Sequence, residues 1–249
     1  VINRIICWFS CGITSAYATK SILEKYKDRY PIEIVYFDTG SEHPDNKRFL
    51  IDCEKWYNHA IKIIKHPEFK DIYAVYDKSG FIANRFGAKC SYELKKKQRE
   101  RYENLETDLQ IFGYDNSELN RANRFRKENP LVNVEFPLLD QNLSKANCIL
   151  MINQIRIKLP EMYLLGYKNN NCIGCVKGAK GYWNKIRKDF PDVFEKMAQY
   201  EEKYGAKLNI ININGIPTHI SLRQLPITAG NYQSELPIVC GFSCGDSAQ

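Results

Sequence analysis

The sequence predicts an α/β protein built around a parallel sheet, and three observations carry that expectation. Short apolar runs, Ile5-Ile6-Cys7-Trp8-Phe9, Ile32 to Phe37 and Ala60 to Ile64, recur with segments of helical periodicity between them. Strands that alternate with helices in this way build βαβ units, whose strands run parallel. The first two runs each end in a short polar loop, Ser10-Cys11-Gly12 and Asp38-Thr39-Gly40. The carboxyl ends of strands are where open parallel sheets bind ligands. With 249 residues, 44% of them hydrophobic, the chain suffices for one large core or for a domain with an appendage.

Arg4 to Ser10 reads as a buried strand because its apolar residues run without alternation. Ala16, Thr19, Ile22, Leu23 and Tyr26 then recur at helical spacing, and Pro31 resets the chain before the second strand, Ile32 to Phe37. Pro44 suits the first turn of a helix whose buried stripe is Phe49, Cys53 and Trp56. Ala60 to Ile64 is the third strand, and less regular helical stretches are expected around Asp71 to Tyr76 and Cys90 to Glu103. Leu109 to Gly113 and Val132 to Phe136 complete the sheet, with a basic helix from Ser117 to Lys127 between them. Ser144 caps a helix carrying Cys148, Ile149, Ile152 and Ile155. Beyond Gly166 three asparagines lead into a cysteine pair, a helical region bounded by Pro191 and Gly205, and a proline-rich tail. The expected organisation is a nucleotide-binding core over residues 1–165 and a helical, cysteine-bearing subdomain over 166–249, with a boundary good to several residues.

No apolar stretch approaches the length of a membrane span and no secretory leader is read, so a cytoplasmic protein without a membrane partner is expected. An oligomer is compatible with the sequence. Lys and Arg outnumber Asp and Glu by 36 to 29 and cluster at Lys95, Lys96, Lys97, Arg99 and Arg101, at Arg121 to Lys127, and from Lys177 to Lys188. Such clusters favour phosphate-bearing partners, from a nucleotide to a nucleic acid, against the plainer alternative of a solvated surface. Aromatics interleaved with lysines around Tyr163, Tyr167, Tyr182 and Trp183 fit a core with a solvated face better than a base-stacking track. The four histidines show no metal-ligand spacing. Nine cysteines in such a chain point to metal binding, catalysis or core packing rather than to disulfides.

Ser10-Cys11-Gly12-Ile13-Thr14-Ser15 lies after the first strand and opens the first helix. A helix N-terminus offers unpaired N–H groups and the positive end of the dipole to an anion. Gly12 permits close approach, and Ser10, Thr14 and Ser15 add hydroxyls; a turn that merely caps the helix is the alternative. The loop resembles the Ser-Gly-Gly-x-[Asp/Thr]-Ser pyrophosphate loop of the ATP-pyrophosphatase (PP-loop) superfamily, with Cys11 at the first glycine and Thr14 as in its PAPS reductase-like branch. Asp38-Thr39-Gly40 with Pro44 is similar to that branch's Asp-Thr-Gly-x-x-x-Pro segment. Cys90-Ser91-Tyr92-Glu93-Leu94-Lys95 resembles its Cys-[Thr/Ser]-x-x-Leu-Lys segment, and Phe136 to Asp140 with Leu143-Ser144-Lys145 its Pro-Leu-x-Asp segment. Gly113-Tyr114-Asp115, with Glu118, Arg121 and Ala122, also matches in order.

The resemblance implies a nucleotide alpha-hydrolase-like, Rossmann-like core. It also implies that ATP or a related adenine nucleotide binds, with Mg²⁺, at Ser10, Cys11, Gly12, Ile13, Thr14, Ser15, Asp38, Thr39 and Gly40. Ser15, Asp38 and Lys95 would act in catalysis, Asp38 on the metal or a ribose hydroxyl and Lys95 on phosphate; Cys90 alone reads as a core cysteine. Cys172 and Cys175 form a C-x₂-C pair and Cys240 and Cys244 a C-x₃-C pair, which together can supply four thiolates to one metal site. Spacing leaves zinc and a [4Fe–4S] cluster open; clusters in sulfur-transferring relatives of the family favour iron–sulfur. The implied activity is cleavage at the α-phosphate to adenylate an acceptor, with sulfur transfer to a nucleic acid or metabolite and a sulfur-donor protein as partner. The alternatives are a sulfonucleotide (PAPS) reductase with Cys240 or Cys244 essential, and a metal-stapled nucleic-acid-binding protein without catalysis.

Overall fold

The structure is a computed structural model that describes residues 1–84 and 87–240. In chain order it runs β1 (Arg4–Phe9), α1 (Ile13–Lys25), β2 (Ile32–Asp38), α2 (Asn46–Tyr57), β3 (Ile61–Lys65) and α3 (Ile72–Ser79). Two-residue strands β4 (Ala83–Asn84) and β5 (Gly87–Ala88) lead into α4 (Lys89–Ser91), a π-helical turn (Tyr92–Lys96) and α5 (Lys97–Tyr102). Then come β6 (Asp108–Ile111), α6 (Leu119–Glu128), β7 (Asn133–Glu135), α7 (Pro137–Asp140), α8 (Lys145–Gln154) and α9 (Glu161–Leu164). The remainder is α10 (Lys180–Asp189), α11 (Pro191–Tyr204), and the hairpin β8 (Asn209–Ile213) and β9 (Ile216–Ile220). Among the described residues no helix is long and apolar enough to cross a membrane.

The expected α/β architecture is present: five parallel strands in the order β3-β2-β1-β6-β7. Trp8 lies opposite Val35 and Cys7 opposite Ile111, so β1 is the central strand. Successive side chains of a strand point to opposite faces. Ile5, Cys7 and Phe9 therefore share a buried cluster with Ile13 and Ile22 of α1, Phe49 and Cys53 of α2, and Cys148 of α8. On the other face Trp8 stacks on Phe37 at 5.5 Å, meets Tyr102 edge-on at 6.0 Å, and donates its indole N–H to Gln110 Oε1 at 2.9 Å. A strand covered on both faces reads as an unbroken apolar run, which is why β1 was legible in the sequence. At the amino end of the sheet Arg4 grips buried Asp108 through two hydrogen bonds of 3.0 and 2.6 Å and reaches Glu33 at 3.0 Å, tying β1 to both neighbours.

The chain forms two compact units. One comprises Val1–Asp38, His43–His66 and Arg99–Asn170; the other Thr39–Glu42, Pro67–Gln98 and the chain from Asn171 onward. The second unit is thus assembled from three stretches, where the sequence suggested a single cut near residue 165. The segment from Pro67 to Gln98, inserted between strands of the sheet, makes its contacts with the C-terminal region.

The C-terminal region is not wholly helical as expected, because the β8–β9 hairpin follows α11. Asn214 and Gly215 join its strands with φ of 51° and 84°. Positive φ at both loop residues is the demand of a primed hairpin turn, which Asn-Gly meets with least strain. In the same unit α10 and α11 enclose Trp183 and Met197, both fully buried. Glu201 of α11, 1% exposed, accepts the backbone N–H of Leu208 at 2.7 Å and of Leu222 at 2.5 Å. One carboxylate thereby holds both ends of the hairpin to α11. Asp77 at the end of α3 accepts Lys203 Nζ at 2.6 Å, Tyr204 Oη at 2.7 Å and Tyr200 Oη at 2.8 Å.

Two stability outcomes follow. Glu201→Ala strands the buried N–H of Leu222 and frees the part-buried N–H of Leu208, and urea denaturation should show a loss of about 1–3 kcal/mol, with Glu201→Gln milder. The hydrogen bond from Lys203, then those from the tyrosines, hold Asp77 down at about 2. Its contribution is therefore complete above the ordinary Asp range and lost as pH falls towards 2. The side chain is 45% exposed, so screening keeps the effect within about 1 kcal/mol. Wild type and Asp77→Asn should differ in stability above about pH 4 and converge below it.

Candidate functional site

The segment joining β1 to α1 sits where the strand order reverses, with β2 on one side of β1 and β6 on the other. Such a switch point opens a crevice at the carboxyl end of the sheet. The loop closes on the Ser15 hydroxyl, which accepts the Ser10 backbone N–H at 3.1 Å and the Ser10 hydroxyl at 3.0 Å and donates to the Gly12 carbonyl at 2.9 Å. Gly12 is the N-cap of α1 and its side-chain-free backbone offers no cap bond, so the helix start is left to other partners. The Ile13 N–H donates to Tyr163 Oη at 3.4 Å. Thr14 is half-buried, in the first turn.

Cys11 has φ of 58° and is fully buried. A residue with a Cβ in the left-handed region carries strain of about 1–2 kcal/mol, which glycine avoids. The conformation is held from both sides: the Cys11 carbonyl accepts Asn170 Nδ2 at 2.7 Å, and its thiol lies 3.6 Å from the carbonyl of Asn46. Asn170 Nδ2 also reaches Asn46 Oδ1 at 2.8 Å, while Asn170 Oδ1 is buried with no hydrogen-bond partner among the described residues. Gly113, just beyond β6, is set against the same turn; a Cβ there would fall 2.5 Å from Ser15 Cα. Lys145 at the start of α8 lies over the Tyr163 ring at 5.3 Å and donates to Lys168 O and Asn169 Oδ1. Burial pulls its ammonium below the ordinary lysine range, against the field of Asp115.

Asp38 ends β2, half-buried and 3.6 Å from Lys65. Thr39 and Gly40 belong to the second unit, where Thr39 is 2% exposed and its hydroxyl lies 3.1 Å from Cys172 Sγ. Lys95, in the π-helical turn, is 6% exposed and pairs with Glu42 at 3.1 Å. Burial alone would lower it, but Glu42, Cys240 and Cys172 around it raise it above the lysine range. Lys95 thus lies within electrostatic reach of two thiols of the second unit.

Three of the four cysteines paired in the sequence come together there. Cys175 and Cys240 are joined by a side-chain hydrogen bond, which raises the Cys175 thiol and lowers Cys240. Cys172 is pushed up by burial and by Glu42. The Cys175 N–H donates to Tyr182 Oη at 2.9 Å, and that hydroxyl donates to Cys172 O at 3.4 Å, fixing the backbone of the pair. Cys244 lies outside the described residues. Among the described residues no group of three or more His, Cys, Asp or Glu side chains stands in metal-binding geometry. The donor chemistry nevertheless suits a thiophilic metal, with soft sulfur ligands in buried surroundings and a cation beside them.

Much of the basic clustering is engaged internally. Arg99 is 1% exposed beside Glu103, Arg121 bonds Glu118, Lys97 bonds Glu93, and Arg187 donates to the carbonyls of Leu222 and Leu225. Tyr167, Tyr182 and Trp183 are buried, as core aromatics are. Tyr163, Asn170 and Asn46 at the loop were not anticipated from sequence. Lys145 stood out in the sequence only as the last residue of Leu143-Ser144-Lys145.

No protein-family model matches the chain. Among curated proteins, an uncharacterised protein of Methanocaldococcus jannaschii is 27% identical over 184 residues, covering 72% of this chain and 38% of that protein. The chain spans well under half the length of this relative. Among solved structures, a phosphoadenylyl-sulfate (PAPS) reductase from Candida auris in a phosphate complex is similar with a TM-score of 0.49 and 17% identity, over 67% of this chain and 80% of that one. The U34-tRNA thiolase NcsA from Methanococcus maripaludis, with its [4Fe–4S] cluster, gives a TM-score of 0.45 and 13% identity, over 82% of this chain and 72% of that one.

The strain at Cys11 has a measurable signature. At ordinary positions glycine is less stable than alanine by about 0.5–1 kcal/mol. Here Cys11→Gly should exceed Cys11→Ala by about 1 kcal/mol in urea denaturation, because only glycine relieves the left-handed backbone.

Proposed function

We propose that the chain is a PP-loop enzyme of the PAPS reductase-like kind, which holds ATP or a related adenine nucleotide at the Ser10–Ser15 loop and acts at its α-phosphate. The observation that carries the reading is the backbone of Cys11. It stands at the first glycine of the pyrophosphate-loop pattern and keeps a glycine-like φ of 58° at the exit of the central strand. A strained conformation that the surrounding protein holds in place without glycine supports a turn kept for binding. The buried, unpartnered Asn170 Oδ1 beside that turn adds an acceptor for a bound donor.

In this reading the backbone N–H groups that open α1, with the positive end of its dipole, hold the β- and γ-phosphates. Ser10 and Thr14 supply hydroxyl donors. Ser15 keeps the loop in shape through its three hydrogen bonds. Asp38 orients Mg²⁺ or a ribose hydroxyl. An acceptor oxygen attacks the α-phosphorus, the bond to the bridging oxygen breaks, and pyrophosphate leaves with the charge stabilised by preorganised donors. A sulfur or nitrogen nucleophile then displaces AMP from the adenylated acceptor, a nucleic-acid base or a metabolite. Cys172, Cys175 and Cys240 with a fourth thiolate hold a metal centre, a [4Fe–4S] cluster or, as the alternative, zinc. Such a centre supplies a structural staple and, if iron–sulfur, a site for handling sulfur.

The test is equilibrium binding of Mg-ATP, together with pyrophosphate release, for anaerobically purified wild type, Ser15→Ala and Gly113→Ala. Both variants should bind about tenfold or more weakly, as loss of one or two phosphate hydrogen bonds would give, with the fold intact by circular dichroism. Wild type that binds no ATP overturns the reading. PAPS binding with thiol-dependent sulfite release would then identify a sulfonucleotide reductase. Salt-sensitive nucleic-acid binding alone would identify a binding protein.

A further inference from the structure

Two side chains of the first unit, Lys145 of α8 and Tyr163 of α9, stand beside the Ser10–Ser15 loop, and the function proposed above uses neither. Tyr163 Oη accepts the Ile13 N–H at 3.4 Å, and the Asn170 backbone N–H also donates to it. The first of these is longer than the about 2.9–3.0 Å of a well-made N–H···O bond. A Cβ built on Gly12 would fall 3.4 Å from the same hydroxyl and 3.4 Å from Ser10 Oγ, so Tyr163 Oη lies directly over the loop. Its oxygen accepts twice, yet nothing among the described residues accepts its proton.

Lys145 is placed at an electrostatic cost. It is the first residue of α8, where the helix dipole disfavours a cation. It is half-buried and makes no ion pair with a carboxylate among the described residues, although the fields of Asp115 and Glu118 reach it. Its ammonium lies 5.3 Å from the centre of the Tyr163 ring and donates to Lys168 O and Asn169 Oδ1. An ammonium has three donors, so one is left for a further acceptor. Asn170, 5% exposed, adds a third observation at the same turn: its Oδ1 has no hydrogen-bond partner among the described residues. A buried polar atom is seldom left so without a ligand or a water to meet it.

We propose that Lys145 and Tyr163 form a second wall of the phosphate site, with Tyr163 donating its hydroxyl to a phosphate oxygen and Lys145 pairing with that phosphate's charge. The inference rests on the nucleotide reading of the loop and adds two residues that neutralise and orient the phosphate. Ser10 to Ser15 supply N–H groups, hydroxyls and the end of a helix dipole, but they include no Lys or Arg. Lys145 brings the formal positive charge that the loop lacks. The hydrogen bonds entering Tyr163 Oη polarise its O–H and strengthen the bond that it donates. Burial pulls the Lys145 ammonium below the lysine range, against the fields of Asp115 and Glu118, and a phosphate beside it favours the charged form again. The cation–π contact holds the ammonium over the ring, so both groups meet a phosphate already oriented.

The experiment measures binding of Mg-ATP and of inorganic pyrophosphate by calorimetry, at low and at physiological salt, for wild type, Lys145→Gln, Tyr163→Phe and Lys27→Gln. Lys27 is an exposed lysine beyond the opposite end of α1. Lys145→Gln should bind about tenfold or more weakly and lose part of the salt dependence, because a charge contact is gone. Tyr163→Phe should bind about threefold to tenfold more weakly with the salt dependence of wild type, since it removes a neutral donor. Lys27→Gln should match wild type. Wild-type affinity in Lys145→Gln overturns the role of Lys145, and so does weaker binding with unchanged salt dependence, the pattern of a merely structural lysine. Wild-type affinity in Tyr163→Phe overturns the part given to its hydroxyl. Wild type that binds neither ATP nor pyrophosphate overturns the nucleotide reading itself, whatever the variants do. Should Lys145→Gln fail to fold, amine acylation of native wild type, read by mass spectrometry, decides instead. Mg-ATP should protect Lys145 and leave Lys27 reactive; equal acylation of Lys145 with and without nucleotide refutes the assignment.

Discussion

Burial of β1 on both faces is the constraint on which the first unit depends. A strand with Ile6 and Trp8 on one side and Ile5, Cys7 and Phe9 on the other has no solvent-facing side, so helices must cover both. Its neighbours depart in opposite directions, β2 to β3 and β6 to β7, which leaves the turn after Phe9 at the reversal point of the sheet. The chain must then turn from strand to helix in three residues, Ser10, Cys11 and Gly12. The left-handed Cys11 accomplishes that turn. Strain of this size survives only where the surroundings over-determine the conformation. The Ser15 hydroxyl, the Asn170 amide and the close approach of Gly113 do so from three directions.

In the second unit the organising fact is electrostatic. A lysine as buried as Lys95 is tolerated only with a counter-charge, and Glu42 provides it at 3.1 Å. Glu201 shows the same economy elsewhere in that unit, a buried carboxylate whose oxygens are both occupied by backbone donors. Asp77 contrasts with both. Its three partners lie at the surface, so geometry as good as this yields little stability.

The parallel sheet was legible because continuous apolar runs are a local signal. Its limits shifted by a residue or two, as in β3, where Lys65 ends the strand by pairing with Asp38 although its side chain is polar. The β8–β9 hairpin was missed although Asn214-Gly215 is a strong hairpin signal; the proline-rich composition around it masked the alternation of a strand pair exposed on both faces. The turn from β1 into α1 stood out in the sequence because six consecutive residues, Ser10 to Ser15, carry its pattern. Asn170 could not, since nothing distinguishes it from Asn169 and Asn171 until the fold brings its amide to Cys11. Lys95 looked like one member of a basic run. Its burial depends on Glu42, 53 residues away, and is invisible to composition.

The thiols illustrate the same divide most sharply. Spacing paired Cys240 with Cys244, which is the natural inference when only near neighbours can be compared. The fold sets the Ser91 hydroxyl against Cys240 across 149 residues, and Cys244 lies outside the described residues. Closing so long a loop costs entropy, although the cost rises only slowly with its length. Fixing the participating backbone and side chains costs more, at about 1–2 kcal/mol per ordered residue. Hydrogen bonds to sulfur are weak, and by themselves they offset little of this. Burial of Tyr76, Tyr182 and Trp183 around the thiols offsets part of it. Metal–thiolate bonds add far more where they form, since their free energy appears directly as folding free energy. A metal shared by Cys172, Cys175 and Cys240 would therefore supply more free energy than the hydrogen bonds of the thiols themselves.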